Sequence, residues 1–183
     1  MEIKASLTPF GIQDVQAGNV SLYMGNSHET SDFIVDCLEL WWNTNQKRYN
    51  KVEELVINLD NGPSQMSGRT QFLKRMIMFS KKINLPIHLI YYPPYHSKYN
   101  SIEHFFGGLE RYWNGAILDT INTALQWASN VTWKKLNPTV KFVDKVYQTG
   151  IKLTKKEMKK FEKHINRSNY LPKWDVWIIP NVV

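Results

Sequence analysis

The chain has 183 residues and a mass of 21.5 kDa, enough for one domain with a real core and no covalent staples. Its single cysteine, Cys37, excludes a disulfide framework, and 43% hydrophobic with 21% charged residues excludes a disordered or fibrous chain. No apolar stretch is long enough to cross a bilayer and Met1 opens no leader pattern, so the expectation is a soluble, cytoplasmic protein. A pI of 9.4 and a net charge of +7 point to phosphate-bearing partners.

That charge has an address. Residues 134–167 carry eleven Lys or Arg against three acids, Asp144, Glu157 and Glu162, while residues 1–133 carry eleven basic and twelve acidic residues. The division expected from this asymmetry is a near-neutral region 1–133 followed by a basic extension 134–183.

In chain order, TPFGIQDV and VSLYMG are short β-type runs joined by Gln16-Ala17-Gly18-Asn19, a hairpin connection. Ser27 to Ser31 offers capping residues before SDFIVDCLELWW, where Ile34, Leu38 and Trp41 recur at helical spacing. ELVINLD reads as a strand covered on both faces and stops at the turn Asp60-Asn61-Gly62-Pro63. TQFLKRMIMFSKKI is a helix ended by Asn84 and Pro86, and PIHLIYY is a strand broken by Pro93-Pro94. SKYNSIEHFFGGLERYW reads as a helix with Ser97 at its N-cap, although Gly107 and Gly108 cost it about 2 kcal/mol relative to Ala. A hairpin followed by strand and helix in alternation predicts an α/β sheet with an antiparallel edge.

In such a sheet functional residues gather at the carboxyl ends of parallel strands. Asp60 ends one strand and Glu103 lies on the helix after the next. Each alone has an ordinary explanation, a turn former for Asp60 and a solvated helix residue for Glu103. Together they offer two hard oxygen ligands from neighbouring elements, the donor type Mg²⁺ takes. Two such ions about 3.5–4 Å apart can activate the attacking oxygen and stabilise the leaving oxygen of a phosphoryl transfer.

LVINLDNGPSQ, followed some forty residues later by YYPPYHSKYNSIEHFF, resembles the second Asp and final Glu of the DDE transposases of bacterial insertion sequences. Among them the chain is most similar to the Rhodopirellula-type transposase DDE domain, of the ribonuclease H-like superfamily that includes retroviral integrases. The similarity runs over nearly the whole chain and includes PFGIQDV, the SHETSDFIVDCLELWW helix and YQTGIKLTKKEM ahead of a final tryptophan-containing strand. It implies a ribonuclease H-like mixed sheet flanked by helices. It also implies Asp60 and Glu103 as ligands of two Mg²⁺ or Mn²⁺ ions, duplex DNA as substrate, and a dimer when active. Asn61 and Gly62 would shape the turn presenting Asp60, Asn100 would orient Glu103 or touch DNA, and His104 would support the site. The implied reaction is hydrolysis at a transposon end, then attack of the freed 3′-hydroxyl on target DNA.

The chain departs from the family pattern in three places. Tyr95-His96 stands where small residues are expected, and Asn61 and Pro63 replace members of a glycine run. More consequentially, the two strands before the first long helix resemble the second and third of the superfamily, so Asp14 matches a non-catalytic position. The first, central strand and its catalytic Asp are expected to be missing. The chain is then a fragment, inactive or weak alone, that relies on an upstream polypeptide for the first acid.

The basic segment fits the same picture. Thr154-Lys155-Lys156-Glu157 matches a capping box, and the helix it opens places Met158, Phe161 and Ile165 on one face. Lys155, Lys159 and Lys163 lie on another face and, with Lys98, are candidates for sequence-independent phosphate contacts. Cys37 reads as a core residue, and the histidines lack zinc-ligand spacing. Two alternatives share these features: a ribonuclease H-like nuclease, which would cleave without strand transfer, and a non-catalytic DNA-binding remnant.

Overall fold

A computed structural model describes residues 7–93, 99–116 and 118–181. They form strands β1 (Thr8–Gln13) and β2 (Val20–Gly25), helix α1 (Ser31–Asn45) with a 3₁₀ turn at Gln46–Tyr49, strand β3 (Leu55–Leu59), helix α2 (Thr70–Ile83) and strand β4 (Ile87–Tyr91). Helices α3 (Ser101–Trp113) and α4 (Ile121–Asn130), strand β5 (Thr139–Val143), helix α5 (Lys155–Glu162) and strands β6 (Ile165–Arg167) and β7 (Asp175–Ile178) follow. The result is a mixed α/β fold, consistent with the ribonuclease H-like expectation. The strands lie in two mixed sheets among the described residues, where the sequence predicted one. The chain divides into two compact units, residues 1–29 with 98–147 and residues 30–97 with 148–183.

In the first unit β1 and β2 form the predicted antiparallel hairpin, from Thr8 opposite Gly25 to Gln13 opposite Val20. The Asp14 carboxylate closes its loop by accepting from the amides of Gln16 and Ala17, each at 3.0 Å, and Gly18 takes a positive φ of 74°. β5 adds parallel to β2, giving the order β1-β2-β5. Val20, Leu22 and Met24 of β2 share a core with Phe105 and Leu109 of α3 and with Ala128 of α4. A Cβ on Gly11 would come within 3.0 Å of Ile102 and Phe106, so the glycine lets α3 approach β1 closely.

The second unit stacks α1 and α2 and builds the sheet β3-β4-β7-β6. β3 and β4 are parallel, and β7 pairs antiparallel with both β4 and β6. Thr30 caps α1, its hydroxyl accepting from the Phe33 amide, and the predicted apolar stripe of Ile34, Leu38 and Trp41 is buried with Cys37. Burial also pushes the Cys37 thiol far above its ordinary range. α2 ends as predicted at Asn84, in the left-handed region at φ 53°. Phe72, Met76 and Phe79 of α2 are almost fully buried, each contributing about 1.5–3 kcal/mol. Arg75 bridges the two helices, bonding Asp32 at 2.7 Å and Asp36 at 2.6 Å. Burial pulls the Arg75 guanidinium's pKa down, but its bonds to Asp36 and Asp32 outweigh that and leave it raised.

Four sequence expectations are corrected. β3 is not covered on both faces: exposure alternates along it, with Val56 46% exposed and Asn58 exposed while Leu59 is buried, so one face of the strand is open to solvent. The helix expected from Ser97 starts at Ser101 with Asn100 as its N-cap, while Ser97 lies outside the described residues. Ile165 does not share the face of Met158 and Phe161, since α5 stops at Glu162 and Ile165 opens β6. There the buried His164 bonds the Ile179 carbonyl through Nδ1 at 2.8 Å, and this tertiary tie ends the helix. Finally, α4 and β5 were not expected as elements.

Candidate catalytic acids and DNA-contacting residues

Asp60 follows β3 directly and is exposed. Its Oδ1 accepts from the Gly62 amide at 3.1 Å and from the Gln65 side-chain amide, so the carboxylate is folded back onto its own turn. A Cβ on residue 62 would come within 3.2 Å of Oδ1, which is why glycine suits that position. Gln65 is itself held, for the Tyr91 hydroxyl donates to its carbonyl at 3.0 Å from the end of β4. Burial raises the Tyr91 pKa, keeping that hydroxyl a donor. Oδ2 of Asp60 accepts no hydrogen bond from a described residue. Sequence reasoning missed Gln65, because a glutamine five residues beyond an acid carries no recognised motif.

Glu103, in the other unit, is exposed at the third position of α3. Its amide donates to the Asn100 carbonyl at 3.1 Å. Asn100 is extended, at φ −88° and ψ 102°, and its side chain makes no capping bond. It therefore stands at the entry of α3, as its N-cap. A carboxylate in the first turn is favoured by the helix dipole, and no described residue accounts further for the Glu103 side chain. His104 is exposed beside it, and Asn61 is exposed in the Asp60 turn.

Among the described residues no three His, Cys, Asp or Glu side chains are gathered into a metal-holding group. The donors are of the right type for Mg²⁺ or Mn²⁺, since one Asp60 oxygen has no hydrogen-bond partner among the described residues and Glu103 is exposed. Lys155 and Lys159 are exposed on α5, and Lys163 is exposed at its C-cap. The predicted capping box is present, with the Glu157 carboxylate accepting from the Thr154 amide at 2.8 Å. Lys98, Tyr95 and His96 lie outside the described residues. No described helix is long and apolar enough to cross a membrane.

Comparison with known proteins places these residues in a family. No curated protein and no solved structure matches the chain. The model of the Rhodopirellula transposase DDE domain matches residues 2–180, and the chain belongs to that transposase family.

Proposed function

We propose that the chain takes part in metal-dependent cleavage and strand transfer at the ends of an insertion sequence, with Asp60 and Glu103 as its metal-binding acids. The observation that best supports this is the state of Asp60: one oxygen is fixed by Gly62 and Gln65, and the other has no described partner. A carboxylate held in this way meets a cation without first having to be ordered. Two divalent ions, when bound, would supply the Lewis acidity of a phosphoryl transfer. The chain's own residues hold and orient. Asp60 and Glu103 provide oxygen donors, Asn61 and Gly62 shape the Asp60 turn, Asn100 sets the start of α3 beneath Glu103, and His104 flanks the acid. Lys98, Lys155, Lys159 and Lys163 neutralise phosphates, so region 134–183 acts as a DNA-holding extension of region 1–133. The substrate is duplex DNA, and the active form is a cytoplasmic dimer.

The first acid of the family's set has no counterpart assigned in this sequence, and Asp14 is engaged in its hairpin loop. The reading therefore includes a further polypeptide segment that supplies a central strand and that acid, with weak or no chemistry from the chain alone. Incubating the purified chain with Mn²⁺ and a labelled element end tests this. Robust cleavage by the chain alone, abolished by Asp60→Ala, would show that no further segment is needed. Cleavage in a complemented preparation that survives both Asp60→Ala and Glu103→Ala would overturn the assignment of the acids. One observation favours a second reading, a DNA-binding remnant without chemistry: turn formation alone is a sufficient reason for Asp60. That reading predicts salt-sensitive DNA binding and no cleavage under any complementation.

A further inference from the structure

The chain reverses between Trp133 and Leu136 in a two-residue hairpin closed from both sides. The Trp133 amide donates to the Leu136 carbonyl at 2.8 Å, and the Leu136 amide to the Trp133 carbonyl at 2.9 Å. Tight turns with both central residues at positive φ are normally filled by Asn-Gly, because other side chains crowd the backbone there. Here the two residues are Lys134, at φ 48°, and Lys135, at φ 68°. Two successive lysines are a poor choice for such a turn on stability alone.

The surrounding frame is firm. Val131 is buried, Trp133 meets Phe105 edge-on with ring centroids 6.1 Å apart, and the Asn137 side chain donates to the Val131 carbonyl at 3.0 Å. Backbone strain that the surrounding structure over-determines clusters at functional sites. Both lysines are exposed, and neither forms an ion pair with a described acid. The Lys134 ammonium lies 5.9 Å from the centre of the Trp133 ring, which keeps it near the tip of the turn.

We infer that this turn is a DNA-backbone contact, in which Lys134 and Lys135 bind phosphates of a duplex and the strained backbone serves to present both ammonium groups at one point. The inference rests on the transposase reading for the identity of the polyanion, and it adds residues outside the α5 lysine stripe. Such a contact positions the duplex and reads no bases.

The test is a double variant, Lys134→Asn with Lys135→Gly, which installs the relaxed turn and removes the charge. Its thermal midpoint should rise by about 2–4 °C. Its affinity for a duplex of arbitrary sequence should fall roughly tenfold at low salt, and its log–log salt slope should become shallower by about two. Lys134→Arg with Lys135→Arg keeps the charge and should keep the parent's salt slope. If the Asn-Gly variant binds as tightly as the parent with an unchanged slope, the inference falls and the transposase reading stands. If the Asn-Gly variant is less stable than the parent, the strain premise is wrong and the inference falls with it. A parent chain that binds no duplex at low ionic strength would overturn both the inference and the DNA reading.

Discussion

Glu103 and Glu157 occupy the same position on two different helices, the third residue after the N-cap, yet their carboxylates are used differently. In α5 the Thr154 hydroxyl accepts from the Glu157 amide at 3.3 Å and the Glu157 carboxylate accepts from the Thr154 amide at 2.8 Å. In α3 the N-cap is Asn100, a residue type able to cap, and its side chain makes no such bond. Both acids are exposed at a helix entry; Glu157 closes its own helix through a capping box, and α3 has none. Position in a helix therefore does not assign a role to a carboxylate; the neighbouring hydrogen bonds do.

The strongest way to break this comparison is to remove the acids in a preparation that cleaves DNA. Glu103→Ala and Asp60→Ala should each slow cleavage by roughly a thousandfold, the scale of losing several kcal/mol of metal-supplied stabilisation. Glu157→Ala should leave the rate unchanged, and equal losses at Glu103 and Glu157 would erase the distinction. Next in size is Gln65→Ala, which frees the Asp60 carboxylate from its clamp and should cost about 10–100-fold in metal affinity or rate. Unchanged Mn²⁺ affinity by calorimetry would show that the clamp does not matter to the metal.

Smaller effects sharpen the structural half. Thr154→Ala should destabilise by about 1 kcal/mol in denaturant titrations, whereas Asn100→Ala should cost less than about 0.5 kcal/mol because it removes no capping bond. The smallest effect is acidic fraying of α5. The Thr154 backbone amide, then its hydroxyl, holds the Glu157 pKa below its ordinary value of 4.5. A lowered folded value means the capping contribution is present above pH 4.5 and is lost as the pH falls through the folded value. Amide exchange at Thr154 and Glu157 should therefore lose protection in acid before the Phe72 and Met76 amides do.

The long elements were legible because their signals are local. The Ile34, Leu38 and Trp41 stripe, the turn at Asp60 and the left-handed Asn84 ahead of Pro86 each follow from neighbouring residues. β5 was not legible, because five residues after Asn137-Pro138 become a strand only by pairing with β2, more than a hundred positions earlier. α4 did carry a signal, Thr120 accepting from the Thr123 amide, but Ile121, Thr123 and Asn122 are weak helix formers and hid it. Ile165 continued the helical period of α5, and only the bond from His164 to Ile179 shows why the chain leaves the helix there. At the candidate acids, sequence spacing was enough to single out Asp60 and Glu103. The Gln65 clamp depends on a hydroxyl from β4, which no local pattern contains.

Cys37 has a practical consequence of its own. It is the single thiol of the chain, it has no solvent exposure, and burial, with Asp36 adding to it, disfavours its thiolate. A thiol-reactive dye can therefore label the protein only when the α1 region opens, and the labelling rate counts those openings. Each variant above thus carries a built-in clock for its folding equilibrium, readable without any assay of DNA.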